Sequence, residues 1–274
     1  MGFCACGRTH ALMGRRGLLT SAAVAAAFPA RAQTVASAGP ANLALIDDLV
    51  AANRILFDQG VVDGFGHVSV RHDKDPSRYL LARSMAPALV AADDILEYDL
   101  DSNAINAGGK TSYLERFIHG EIYKLRPDII SIVHSHSPAV LPFADTKAVL
   151  KPMNHIAGFL GGGAPVFEIR DTAGPASDML VRNQALGHAL GLTLGSGHVV
   201  ALMRGHGSVA AGQSIRHAVF RAVYTEVNAR VQSEAMKLGT PEYLNTEEAR
   251  AAMKANDGLV DRPWELWKRR VMPK

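Results

Sequence analysis

The stretch TSYLERFIHGEIYKLRPDIISIVHSH, residues 111–136, carries two kinds of periodicity in one piece of chain. In its first part Leu114, Phe117, Ile118, Ile122 and Leu125 recur at helical spacing, which predicts a helix over 111–128 stopped by Arg126-Pro127-Asp128. Its second part, IISIVHSH, is rich in β-branched residues and predicts a strand over 129–136. Successive strand side chains point to opposite faces, so His134 and His136 share a face while Ser135 points away. Two imidazoles side by side on one strand are what a single cation needs. They are equally what a wet strand face shows, and the pair alone does not choose.

Other segments extend the pattern. Residues 41–59 predict a helix ended by Gly60, and 214–238 a long helix ended by Gly239. HVSVR (67–71) and RYLLA (78–82) read as strands separated by turn residues, and 94–105 as a strand, a turn and the start of another. HVVALMRGHGSVAAG (198–212) reads as a strand running into a Gly-His-Gly turn. This order predicts an α/β fold: one domain with a mostly antiparallel or mixed central sheet flanked by helices. It does not give the topology.

His206 strengthens the metal reading, because flanking glycines allow close approach of the backbone. Three histidines with a position left over are the donor set of a catalytic rather than a structural zinc-type site. For Glu115 the spacing favours another role. Ser112-x-x-Glu115 at a helix start matches a capping box. His119, one turn on, reads as a core histidine or a neighbour of the site.

The chain has 274 residues, 48% of them hydrophobic and 20% charged, enough for one sizeable core. No apolar run reaches the roughly 20 residues of a membrane span. Residues 1–32 contain Arg8, Arg15, Arg16 and Arg31 and no acid; without those four the formal charge drops from +3 to −1. Nothing basic remains to suggest nucleic acid. The twin arginine, the alanine-rich run and Ala30-Arg31-Ala32 predict a twin-arginine-type signal peptide over 1–32, a linker over 33–40 and a domain with a C-terminal tail over 41–274. The expected location is periplasmic or secreted, after export in the folded state. Both cysteines, Cys4 and Cys6, fall in the signal, so any metal must be held by His, Asp or Glu.

GHVSVR, ERFIHGEIYKLRPDIISIVHSH and LMRGHG together resemble the class II aldolase/adducin family over about residues 41–245. The resemblance implies His134, His136 and His206 as metal ligands. It implies Glu115, nineteen residues before His134, as a ligand displaced by substrate or as an acid/base beside the metal. It further implies a divalent cofactor, Zn2+ first and Mn2+, Co2+ or Fe2+ as alternatives, a small-molecule substrate, and a homotetramer with sites between subunits. Such a metal acts as a Lewis acid on an enolate, an intermediate that aldol cleavage and decarboxylation share.

Sugar-phosphate aldolases of that family cradle phosphate with a Gly-Asn turn, a Thr-Gly segment and a serine pair. Here those places read Gly66-His67, ARSMAP (82–87) and Tyr113-Leu114. The substitutions argue for a non-phosphorylated hydroxy acid, keto acid or hydroxyaromatic carboxylate. Arg83 and Ser84 are candidate anion binders, Arg83 being equally readable as a solvated loop residue. His67 is a candidate substrate contact or a turn-packing residue, and Tyr113 a neighbour of the site. His155, in MNHIAGFLGGG, is a candidate proton donor. The glycines of GFLGGG (158–163) lack a strand-to-helix fingerprint and read as a mobile loop rather than a nucleotide site. A metal-dependent lyase is the leading expectation. An iron oxygenase using the same site and a non-catalytic adducin-like module are the competitors.

Overall fold

The computed structural model describes residues 36–105 and 107–272; the segment read as a signal peptide lies outside the described residues. The strands are β1 His67–Arg71, β2 Arg78–Ala82, β3 Ile95–Asp99, β4 Ala104–Ile105, β5 Ser131–Ser135, β6 Val166–Phe167, β7 Val200–Met203 and β8 Gly207–Gly212. The helices are α1 Leu43–Asp58, α2 Phe117–Leu125, α3 Leu141–Ala144, α4 Arg170–Ala173, α5 Gln184–Leu194, α6 Ile215–Leu238, α7 Thr246–Asp257 and α8 Asp261–Val271. One sheet of eight strands runs β4-β3-β2-β1-β5-β8-β7-β6, antiparallel except at β6–β7. The expected single α/β domain with a mostly antiparallel, mixed sheet is the one observed.

Strand alternation splits the core in two. Val68, Val70, Val133 and Ala210 face one apolar cluster, built with residues of α1, α6 and α8. Tyr79, Leu81, Ile132 and Val209 face the other, built with residues of α2 and α5. His67, Ser69, His134 and His136 have the parity of this second face. All 5 residues of β1 are buried, so its polar side chains must find partners inside the protein.

Two glycines bring the site strands together. Gly66 has φ +95, and a Cβ there would lie 2.6 Å from Val62 Cγ1 and 3.0 Å from the His134 carbonyl oxygen. A Cβ on Gly207 would lie 2.0 Å from the Ser135 carbonyl oxygen. Both positions therefore demand glycine, and both adjoin a histidine of the site.

Three expectations need correction. The helix predicted from 111 begins at Phe117; residues Leu114–Arg116 form a 3₁₀ turn in which Glu115 (φ −91°, ψ 17°) leaves helical geometry. No capping box forms there: Tyr113, not Ser112, precedes the turn, and it makes no side-chain cap. The single strand read over 198–212 is a hairpin, β7 and β8, with His206 at its tip. The glycine- and alanine-rich GSVAAG hid β8, a fully buried strand between β5 and β7.

Residues read as a tail form α7 and α8, the latter burying Trp264 and Trp267. Described linker residues also touch the domain: Ala38 N–H donates to Glu97 Oε1 at 2.8 Å. The GFLGGG region is no open loop. His155–Leu160 is a 3₁₀ turn capped by Asn154, and a Cβ on Gly158 would lie 2.6 Å from the Ala249 carbonyl oxygen of α7. No helix among the described residues is long and apolar enough to cross a membrane.

Candidate metal centre and its cavity

Glu115, His134, His136 and His206 converge so that one ligand atom from each lies within 4.8 Å of the others. His134 comes from β5, His136 from one residue beyond it, and His206 from the β7–β8 turn. Asp145 holds that turn, its Oδ1 accepting from Gly205 N–H at 2.7 Å. His134 Nδ1–H donates to the Ser208 carbonyl at 3.1 Å and His206 Nδ1–H to the Met179 carbonyl at 2.7 Å. Carbonyls only accept, so both rings carry a hydrogen on Nδ1 and turn Nε2 inward.

The inward atoms are close. His136 Nε2 is 3.2 Å from His134 Nε2 and 3.0 Å from His206 Nε2. Glu115 Oε2 is 3.5 Å from His134 Nε2 and 3.3 Å from His206 Nε2. A tetrahedral cation with ligands at about 2.05 Å sets its ligand atoms about 3.3 Å apart. The four separations bracket that edge. A cation at their centre would satisfy the three ring nitrogens and the carboxylate oxygen together. The donor set thus fits a divalent metal, with nitrogen and oxygen ligands suited to zinc-type ions.

Burial by itself would raise the Glu115 carboxyl, but His134 and His206 outweigh it and hold the group well below the usual carboxylate range. Burial, with His134 and His206 alongside, pushes His136 down to about 4. Glu115 Oε1 accepts from Val181 N–H at 2.9 Å, which leaves Oε2 for the centre.

The cluster opens on a cavity of about 480 Å³, lined by Phe65, His67, Ser84, Met85, Tyr113, Leu114, Glu115, His136 and Leu180 among others. The three places expected to differ from a phosphate cradle, around His67, Met85 and Tyr113, all meet in this one space. Its walls are mostly apolar, and no lysine or arginine among the described residues lines it. The Tyr113 ring lies tilted against the His67 ring with centroids 4.6 Å apart, its hydroxyl donates to the Met85 carbonyl, and burial pushes it up to about 12.

Two candidate residues are elsewhere. Arg83 lines no part of the cavity; its Nε donates to Asp94 Oδ1 at 2.7 Å, so its charge is already paired. His155 is exposed on the turn that packs beneath α7, away from this chain's cavity. Sequence reasoning also missed Met179 and Val181, whose backbone groups orient His206 and Glu115, and Leu180 between them. Met179 adopts φ +72, rare for a side-chain-bearing residue, but no sequence signal marks a carbonyl as a positioning group.

Residues 47–233 match the family model described as Class II Aldolase and Adducin N-terminal domain. The chain belongs to the class II aldolase/adducin family. Within it, Decarboxylase tropJ of Talaromyces stipitatus is 35% identical over 244 residues, covering 81% of this chain and 92% of that protein. A 3,4-dihydroxyphthalate decarboxylase of Arthrobacter keyseri is 30% identical over 206 residues, covering 70% of this chain and 78% of that one. Among solved structures, L-fuculose 1-phosphate aldolase from Glaciozyma antarctica PI12 superposes with a TM-score of 0.68 at 20% identity, covering 85% and 94% of the two chains. That likeness shows the fold of the family and no more.

Proposed function

We propose that this protein is a divalent-metal-dependent decarboxylase of a non-phosphorylated hydroxyaromatic carboxylate. One observation carries the reading: Glu115 and His136 of the four-residue cluster line a mostly apolar cavity in which no lysine or arginine among the described residues is placed for phosphate. The relatives named as decarboxylases support a lyase, and the one named for 3,4-dihydroxyphthalate supports an aromatic acid.

His134, His136 and His206 would hold the metal, with zinc the first choice for this donor set. When bound, the metal supplies Lewis acidity that steadies negative charge on a substrate oxygen. Phe65, Met85, Leu114 and Leu180 exclude water and suit an aromatic ring. As the bond between ring carbon and carboxylate breaks, carbon dioxide leaves and the electron pair stays with the ring. Glu115, anchored through Oε1 by Val181 N–H, returns a proton drawn from water to that carbon. Ser84 and His67 complete the polar contacts to substrate.

The test is carbon dioxide release by zinc-loaded protein given 3,4-dihydroxyphthalate and simpler catechol carboxylates, with and without chelator. Release that chelation abolishes is expected. Aldehyde formation instead would move the assignment to aldolase, and oxygen uptake to an iron oxygenase. Two further expectations belong to the same proposal: export with removal of residues 1–32, read by the mass of the mature protein, and a homotetramer, read by light scattering.

A further inference from the structure

Behind His67 runs a buried line of polar groups that the reaction above does not use. His67 Nδ1 is 2.7 Å from His119 Nε2, and His119 Nδ1 is 2.6 Å from Ser69 Oγ. Ser69 Oγ is 2.8 Å from the Tyr123 hydroxyl, which lies 3.3 Å from the Ile130 carbonyl. His119 and Ser69 are 0% exposed, Tyr123 1% and His67 3%, so no water completes these contacts from outside. The line ends on one side at Ile130 and on the other at the cavity.

A neutral imidazole has one donor and one acceptor nitrogen. His119 uses both, so the hydrogens along the line must all point the same way, toward the cavity or away from it. His119 is wholly buried with no carboxylate in the line, so its ring is neutral. Distances choose the direction. Tyr123 Oη sits closer to Ser69 Oγ, at 2.8 Å, than to the Ile130 carbonyl, at 3.3 Å. The Tyr123 hydrogen therefore goes to Ser69. The Ser69 hydroxyl must then donate to His119 Nδ1, and 2.6 Å is short for an N–H donor but ordinary for an O–H one. His119 is left to donate from Nε2 to His67 Nδ1, and the hydrogen of His67 stands on Nε2.

We infer that His67 presents a fixed N–H donor to an anionic oxygen of the substrate, and that Ser69 and His119 make it a donor rather than an acceptor. This inference rests on the reading of the cavity as a decarboxylase site and names how that site recognises its substrate. The lining leaves few other candidates. Arg83 is paired with Asp94, and the Tyr113 hydroxyl is spent on Met85. Away from the metal ligands, the side chains that remain for a substrate oxygen are His67 and Ser84. The His67 ring lies 4.6 Å from Tyr113 and 5.0 Å from His134, between the cavity wall and the metal centre. A neutral donor there binds an anion without setting a second positive charge against the cation. His67 touches substrate; Ser69 and His119 are positioning residues that act through it.

The decisive measurement is nitrogen-15 NMR of histidine-labelled, zinc-loaded full chain, with the His67 signals assigned by His67→Gln. Protonated Nε2 and bare Nδ1 on His67 are expected. A proton on Nδ1 instead would overturn the inference. Calorimetry supplies a second readout, with 3,4-dihydroxybenzoate and catechol as probes and zinc content confirming that each variant is folded. His67→Leu should weaken binding about tenfold or more, and His67→Gln, whose amide can donate, should recover most of it. Weakening confined to 3,4-dihydroxybenzoate identifies the carboxylate as the partner, and equal weakening of both probes identifies a ring oxygen. Unchanged affinity for both probes in His67→Leu would sink the idea. Failure to release carbon dioxide from any substrate would remove the decarboxylase reading and leave the NMR result standing.

Discussion

Two groups of histidines sit side by side on this sheet and are organised by different means. His134, His136 and His206 turn ring nitrogens toward one point, and two of them are aimed by backbone carbonyls. His67, on the neighbouring strand β1, and His119, on α2, lie in a hydrogen-bonded line of side chains. The first group brings three ring nitrogens and a carboxylate to one point, where a cation would complete it. The second has a donor for every acceptor and is complete as it stands. The same residue type thus makes a metal site or a recognition group according to whether its partners leave lone pairs or hydrogens facing inward.

That contrast can be broken most forcefully by removing a ligand. His134→Ala or His206→Ala should abolish stoichiometric metal, read by elemental analysis, and reduce turnover by about 10³-fold, the scale of losing a principal electrostatic contributor. Metal retained at one per chain would disprove the cluster. Glu115→Gln should keep most of the metal and still lose about 10²- to 10⁴-fold in turnover, as expected for a proton-transfer residue. Equal loss of metal would make Glu115 chiefly a ligand.

Acid should separate the two groups through stability. His119 is held down to about 3 in the folded chain, against about 6.5 when unfolded. Below pH 6.5 the unfolded chain therefore binds a proton that the folded chain refuses. Stability falls as pH drops from about 6.5 toward 3, and is fully present above 6.5. In metal-free protein, His119→Gln should flatten that slope in urea midpoints measured across this range. An unchanged slope would deny His119 its buried neutral state.

The smallest effect is expected at Arg83. Its ion pair with Asp94 has a side chain 36% exposed, and such pairs contribute about 0–1 kcal/mol. Arg83→Ala should shift the urea midpoint slightly and leave KM within about twofold. A large rise in KM would restore Arg83 as a substrate contact.

Much of this was legible before the fold was known. The two periods in residues 111–136 gave the α2–β5 unit, and H-x-H with a later Gly-His-Gly marked three histidines that the fold brings together. HVSVR also placed His67, Ser69 and Arg71 on one face, but alternation cannot say what that face meets. Tyr123 and His119 of α2 meet it, which turns a buried polar strand face into a hydrogen-bonded line. Glu115 was misread on local grounds because a capping box and a metal-facing carboxylate share the same spacing. His155 and Arg83 were candidates by residue type, and long-range packing and a nearer carboxylate settled their places.

The sequence by itself determined the elements, the pairing of His134 with His136 on one strand face, and the glycines that let neighbouring backbones approach. Those properties follow from side-chain period and backbone sterics, which are local. Only the tertiary structure decided that Glu115 leaves its helix to join three histidines. It also decided that the carbonyls of Met179 and Ser208 set two tautomers, and that the Val181 N–H holds the carboxylate. Every residue carries the same carbonyl and nearly every one the same N–H, so which of them serves a site is written in where the chain passes, not in its letters.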